Sequence, residues 1–79
     1  MLIRVHPAIN DEHARERLGE LVAARAEDFA GLSRLIGRPP GYLGRYVRAG
    51  TPKRLTDRER GMLARYFRVE ECELGVMAR

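Results

Sequence analysis

Seventy-nine residues make one domain with a small core, because a chain this short buries only about 60% of the surface its unfolded form exposes. Charged residues are 33% and hydrophobic ones 44%, and no apolar run approaches the ~20 residues of a membrane span. The opening MLIRVHPAIN has no signal-peptide core, and the single cysteine, Cys72, excludes an internal disulfide and fits a reducing cytoplasm.

Residues 1–9 alternate loosely, with Leu2, Ile3, Val5 and Ile9 apolar and Pro7 interrupting, as a short strand or an extended arm would. Asn10 or Asp11 is suited to cap a first helix, with Asp11 and Glu12 at its positive end. Ala14, Leu18, Leu21, Val22 and Arg25 recur at helical spacing, which predicts a helix over 11–26. Asp28 is the predicted cap of a second helix, with Phe29 and Leu32 entering the core. Leu32, Leu35 and Ile36 form one apolar stripe, and Tyr42, Leu43, Tyr46 and Val47 form another. Between the stripes, Gly37 is free to take the left-handed backbone that ends a helix. Pro39 and Pro40 lack N–H groups, which only the first turn of a helix does not need. One helix therefore stops and another starts within about three residues, so that 28–48 has the spacing of a helix-turn-helix.

After Arg48 the loop Ala49-Gly50-Thr51-Pro52-Lys53-Arg54 breaks the helical pattern. Thr56-x-x-Glu59 is a capping box and predicts a fourth helix, buried through Met62, Leu63, Tyr66 and Phe67. Arg68 stands where glycine would ease a left-handed cap, so this helix either ends under strain or runs on. A short fifth helix over 69–76 would bury Val69, Cys72 and Leu74 in part. Five helices without a required sheet give an all-α fold class, a single domain over 1–79.

The net charge of +4 is unevenly spread. Residues 1–33 carry four arginines against six acidic residues, a net of −2. Residues 34–60 carry eight basic residues against Asp57 and Glu59, a net of +6, and residues 61–79 balance three against three. Fourteen of the fifteen basic residues are arginine, a compositional bias that explains the choice of arginine but not its clustering. The concentration around the third helix and its loop is the footprint expected of a phosphate-binding face.

Nothing groups residues for catalysis. His6 and His13 have no metal-site spacing and read as exposed surface histidines. Cys72 has no local base and reads as a buried structural thiol. Ser33 reads as a small residue where two helices cross, and Gly37, Gly41 and Gly44 follow no strand and so form no nucleotide fingerprint. The expectation is a protein that is not an enzyme, with no cofactor, metal or small-molecule substrate.

With Leu43, Tyr46 and Val47 inward, Pro40, Gly41, Gly44, Arg45 and Arg48 are expected to point outward. Arg45 suits a bidentate contact to guanine, whereas Gly41 and Gly44 carry no reading side chain and allow close approach. Arg48, Thr51, Lys53 and Arg54 fit phosphate anchoring, and Arg34 and Arg38 are placed to touch the opposite backbone. Tyr46 reads as core. Tyr42 is either an ordinary core residue or a ring packed inward with its hydroxyl on a phosphate.

The segment around Leu32, Gly37, Leu43 and Tyr46 resembles the DNA-binding motif of the lambda-repressor-like (Cro and xenobiotic-response-element) regulators. Within them it is most similar to the N-terminal domains of phage-repressor-like proteins that carry a LexA-type peptidase domain behind. The runs GTPKRLTDRERGMLARYF and VEECELG also fit, so the resemblance covers about residues 14–75. Ser33 agrees with the family's small residue there. Gly41 and Gly44 depart from its usual polar residues, Arg68 departs from its usual glycine, and no peptidase domain follows within the 79 residues.

The resemblance implies a cytoplasmic, nucleoid-associated transcriptional regulator whose third helix enters the major groove. A repressor on a palindromic operator is expected, acting alone or as the DNA-binding part of something larger. The implied partners are double-stranded DNA and a second copy of the chain, paired through apolar residues at the two ends, Leu2, Ile3, Val5, Ile9, Val76 and Met77. The alternative is a helical protein-interaction module of the same fold, favoured by the glycines on the reading face and opposed by the +6 segment.

Overall fold

Asn10, Asp28 and Thr56 each start a helix by accepting one of its free N–H groups, from His13 at 2.8 Å, Gly31 at 2.6 Å and Glu59 at 3.1 Å. The computed structural model describes residues 7–75. The helices are α1 (Asp11–Ala24), α2 (Phe29–Leu35), α3 (Tyr42–Ala49) and α4 (Asp57–Phe67), followed by a 3-10 turn, Glu71–Glu73. Among the described residues there is no strand. The expected capping box is complete, since the Glu59 side chain also accepts the Thr56 N–H at 3.0 Å.

α3 has no cap of its own, because its leading residue is Gly41. Its second N–H, that of Leu43, is donated instead to the Ser33 hydroxyl on α2 at 3.0 Å, and that hydroxyl donates to the Phe29 carbonyl at 2.7 Å. Ser33 is fully buried, so it is small where α2 and α3 meet and also hydrogen-bonds both of them. The joint is longer than the spacing suggested: Ile36 to Gly41 lie between the helices, and both prolines precede α3 rather than opening it. The Tyr42 N–H turns back to the Pro39 carbonyl at 3.0 Å.

Each of the four α-helices among the described residues is followed by a residue in the left-handed region. Gly37 (φ 79°) and Gly50 (φ 69°) adopt it without a steric cost, but Ala26 (φ 52°) and Arg68 (φ 60°) do so with a Cβ. At Ala26, Gly37 and Arg68 the closing hydrogen bonds are the paired ones of a Schellman motif. Glu27 donates to Val22, Arg38 to Ser33 and Val69 to Ala64, at 3.0, 2.9 and 2.9 Å. α1 consequently ends at Ala24, earlier than the expected 26, and Arg68 does end α4.

The core joins Leu18, Leu21 and Val22 of α1, Leu32 of α2, Leu43 and Tyr46 of α3, and Leu63, Ala64 and Phe67 of α4. Ile36, Leu55 and Leu74 complete it from outside the helices. Two residues of the expected stripes lie outside: Leu35 is 45% and Tyr66 43% exposed, the latter donating its hydroxyl to Glu27 at 2.7 Å. Met62 is only half-buried. The expected fifth helix is reduced to the 3-10 turn, held by Arg17 on the buried Glu73 carboxylate at 2.9 Å, with Cys72 half-buried. The expected arm and tail contacts, apart from Ile9 at 81% exposure, lie outside the described residues.

The two strained helix ends make a stability prediction. Arg68→Gly and Ala26→Gly relieve a Cβ in the left-handed region, and each should stabilise the fold by up to about 1 kcal/mol. Thermal melts check this: a rise of several degrees per variant is expected for a domain of this size. An unchanged or lower midpoint shows that the strain is already absorbed.

Candidate nucleic-acid interface

An open groove of about 780 Å³ lies between the start of α2 and the outer side of α3. Phe29, Ala30 and Arg34 form one wall, and Pro40, Gly41, Gly44, Arg45 and Arg48 the other, with Val22, Glu27 and Asp28 at the end. Arg34 stands in the last turn of α2, Arg48 in that of α3, and Arg45 is exposed midway along α3. None of the three makes an ion pair among the described residues. The two acids at the groove's end already have donors, Asp28 as the cap of α2 and Glu27 through Tyr66.

Arg48 lies back across α3, its guanidinium 5.5 Å from the centre of the Phe29 ring. Its Nη1 passes 3.5 Å from where a Cβ on Gly44 would stand, and Phe29 Cβ is 3.9 Å from the same point. Gly44 therefore faces α2 and is buried, not outward as its position on the stripe suggested. A Cβ at this position would meet both neighbours at ordinary van der Waals distance. Pro40 and Gly41 are exposed at the groove's rim, and Thr51 and Lys53 are exposed on the loop that leaves α3.

Three other members of the expected set are turned elsewhere. Arg38 Nε donates to Glu59 Oε2, and its guanidinium lies 4.8 Å from the centre of the Tyr42 ring. The Tyr42 hydroxyl donates to Glu59 Oε1 at 2.8 Å, so of the two readings for Tyr42 the inward ring holds but the hydroxyl serves α4. Arg54 Nε pairs with Asp11 Oδ1 at the start of α1, at 2.9 Å. The sequence does name Glu59 as a cap, but its second duty depends on two residues 17 and 21 positions away. Phe29, as the platform under Arg48, is likewise invisible from spacing alone.

The Glu59 carboxyl is 1% exposed. Burial by itself raises its pKa, but the Thr56 N–H, the Tyr42 hydroxyl and Arg38 together outweigh that and hold it below the usual glutamate value. Burial, followed by the hydrogen bond to Glu59, pushes the Tyr42 hydroxyl up to about 12. His13 is half-buried rather than exposed, its Nδ1 accepting the Ile9 N–H at 3.3 Å. Among the described residues no group of three or more His, Cys, Asp or Glu is placed to hold a metal, and no helix is long and apolar enough to cross a membrane.

No protein-family model matches the chain, and neither the characterised proteins nor the solved structures searched contain a match to it.

Glu59 gives an acid-stability prediction. A carboxyl whose folded pKa is depressed contributes stability that is present above its unfolded value and lost as pH falls through the folded one. The melting midpoint should therefore drop below about pH 4.5, near the unfolded glutamate pKa. Glu59→Gln should melt lower at neutral pH and lose less on acidification. Parallel curves for the two proteins would remove Glu59 from the acid transition.

Proposed function

We propose that the chain is a helix-turn-helix protein that binds double-stranded DNA, with α2 and α3 as the two helices of the motif and α3 in the major groove. One observation carries the reading. Arg34, Arg45 and Arg48 converge on one open groove without carboxylate partners among the described residues, whereas Arg17, Arg38, Arg54 and Arg60 each hold a carboxylate. Unneutralised guanidinium groups on two adjoining short helices suit a surface of evenly spaced phosphates.

Arg45, exposed midway along α3, reads guanine through its paired donors. Arg34 and Arg48 flank it on the backbone, with Thr51 and Lys53 anchoring a further phosphate. Pro40 and Gly41 at the rim add no reading side chain, so base contacts are few and DNA shape carries part of the preference. So sparse a readout is doubled when two copies sit on half-sites about 34–36 Å apart. The protein acts as a homodimeric repressor that occludes its operator.

Selection from a random duplex pool, followed by salt titration of the selected and a random duplex, tests this. Arg45→Ala should remove about 1–3 kcal/mol of preference for the selected site, whereas Lys53→Ala should weaken both duplexes alike and lower the salt slope by about 1. Equal losses on both duplexes for both variants would reverse the assignment of Arg45. No selected site and no salt-dependent binding would favour the protein-interaction module.

A further inference from the structure

Glu59 is over-committed for a capping residue. The box needs one side-chain acceptor for the Thr56 N–H, which a glutamine supplies equally well. Oε1 meets that need and also accepts the Tyr42 hydroxyl; Oε2 is left for Arg38 alone. The negative charge, buried at a cost, is thus matched to one partner. That partner stands at the α2–α3 joint, two residues before Pro40 on the rim of a groove whose arginines hold no carboxylate among the described residues.

We infer that Glu59 is a specificity-determining residue that withdraws Arg38 and Tyr42 from polyanion contact and leaves it to Arg34, Arg45 and Arg48. The Arg38 side chain is 44% exposed, but its Nε is on the carboxylate and a face is on the Tyr42 ring, so its charge is matched at contact distance. A phosphate is poorly neutralised by an arginine that is already paired, and so releases little of its counterion. Tyr42 has given its only hydroxyl proton to the same carboxylate. Each phosphate contact removed here is one that is made on any sequence, so its removal lowers random binding and raises the ratio of selected to random binding. The gain in that ratio rests on the DNA reading proposed above; the withdrawal of Arg38 does not.

The test is a double-variant cycle on the full chain: native, Arg38→Ala, Glu59→Gln and both together. Each is measured on a random duplex across salt and by elution from heparin. Arg38→Ala should leave the native salt slope unchanged and lower it by about 0.9 in the Glu59→Gln background, where the guanidinium is released. That slope is roughly a three- to fourfold difference in affinity over a fourfold range of salt. The cycle cancels the general effect of one unit of net charge. Elution from heparin should follow the same order.

A slope lowered by about 0.9 on Arg38→Ala in the native protein overturns the inference, since Glu59 would then be bracing a phosphate clamp. If Glu59→Gln fails to fold, the native and Arg38→Ala pair still decides, together with Tyr42→Phe. An unchanged salt slope in both variants supports the withdrawal whatever the change in absolute affinity, and a lowered slope in either overturns it. Heparin retention in the expected order without duplex binding supports the withdrawal while sinking the DNA reading.

Discussion

A carboxylate with 1% of its surface exposed joins three parts of this small molecule. Glu59 closes the first turn of α4, holds the hydroxyl at the head of α3 and pairs with the arginine of the joint before it. Burying a charge is favourable only when every lone pair facing the interior has a donor, and here an N–H, an O–H and a guanidinium supply them. That requirement is directional, as apolar packing is not. Leu43 and Tyr46 hold α3 against the core through packing that has no directional preference of its own. The Glu59 hydrogen bonds tie the start of the helix to α4, and Arg45 is carried one turn further along it.

Ser33 supplies a second directional constraint. α2 and α3 have seven and eight residues, far below the ~12–15 at which an isolated helix becomes even marginal in water. Their ends must therefore be satisfied by the fold itself. One buried hydroxyl accepts from the first turn of α3 while donating to α2, so the pair is hydrogen-bonded as well as packed. With Gly37 closing α2 and Gly50 closing α3, both short helices are bounded at each end by a named group.

What could be read from the sequence was whatever depends on neighbours three or four residues away. The caps at Asn10, Asp28 and Thr56, the turn at Gly37 and the inward positions Leu32, Leu43 and Tyr46 all belong to that class. Stripe edges were misassigned: Leu35 and Tyr66 satisfy the spacing but sit at the margin of the buried arc, and Gly44 sits just inside it. Ala26 gave no stop signal, because alanine is the best helix former, and the Schellman bond from Glu27 ends α1 there nonetheless. The site was less readable than the fold. Whether an arginine is free or paired depends on carboxylates such as Asp11, Glu59 and Glu73, placed by tertiary structure 21 to 56 residues away.

That dependence changes how the charge of the segment 34–60 should be understood. Its net of +6 counts eight cations as equivalent, yet the fold divides them. Arg38, Arg54 and Arg60 are drawn onto carboxylates, and Arg58 turns a guanidinium N–H to the Ile36 carbonyl at 3.3 Å. Among the described residues Arg34, Arg45, Arg48 and Lys53 pair with no carboxylate. The division is spatial as well as chemical, since three of these four surround the α2–α3 groove. Long-range attraction of a polyanion depends on the total charge, but short-range contact depends on groups that need not first break a pair. A cluster sorted in this way offers a defined set of contact points rather than a diffuse positive surface. Three of those points are carried by α2 and α3, the two helices that Ser33 ties together.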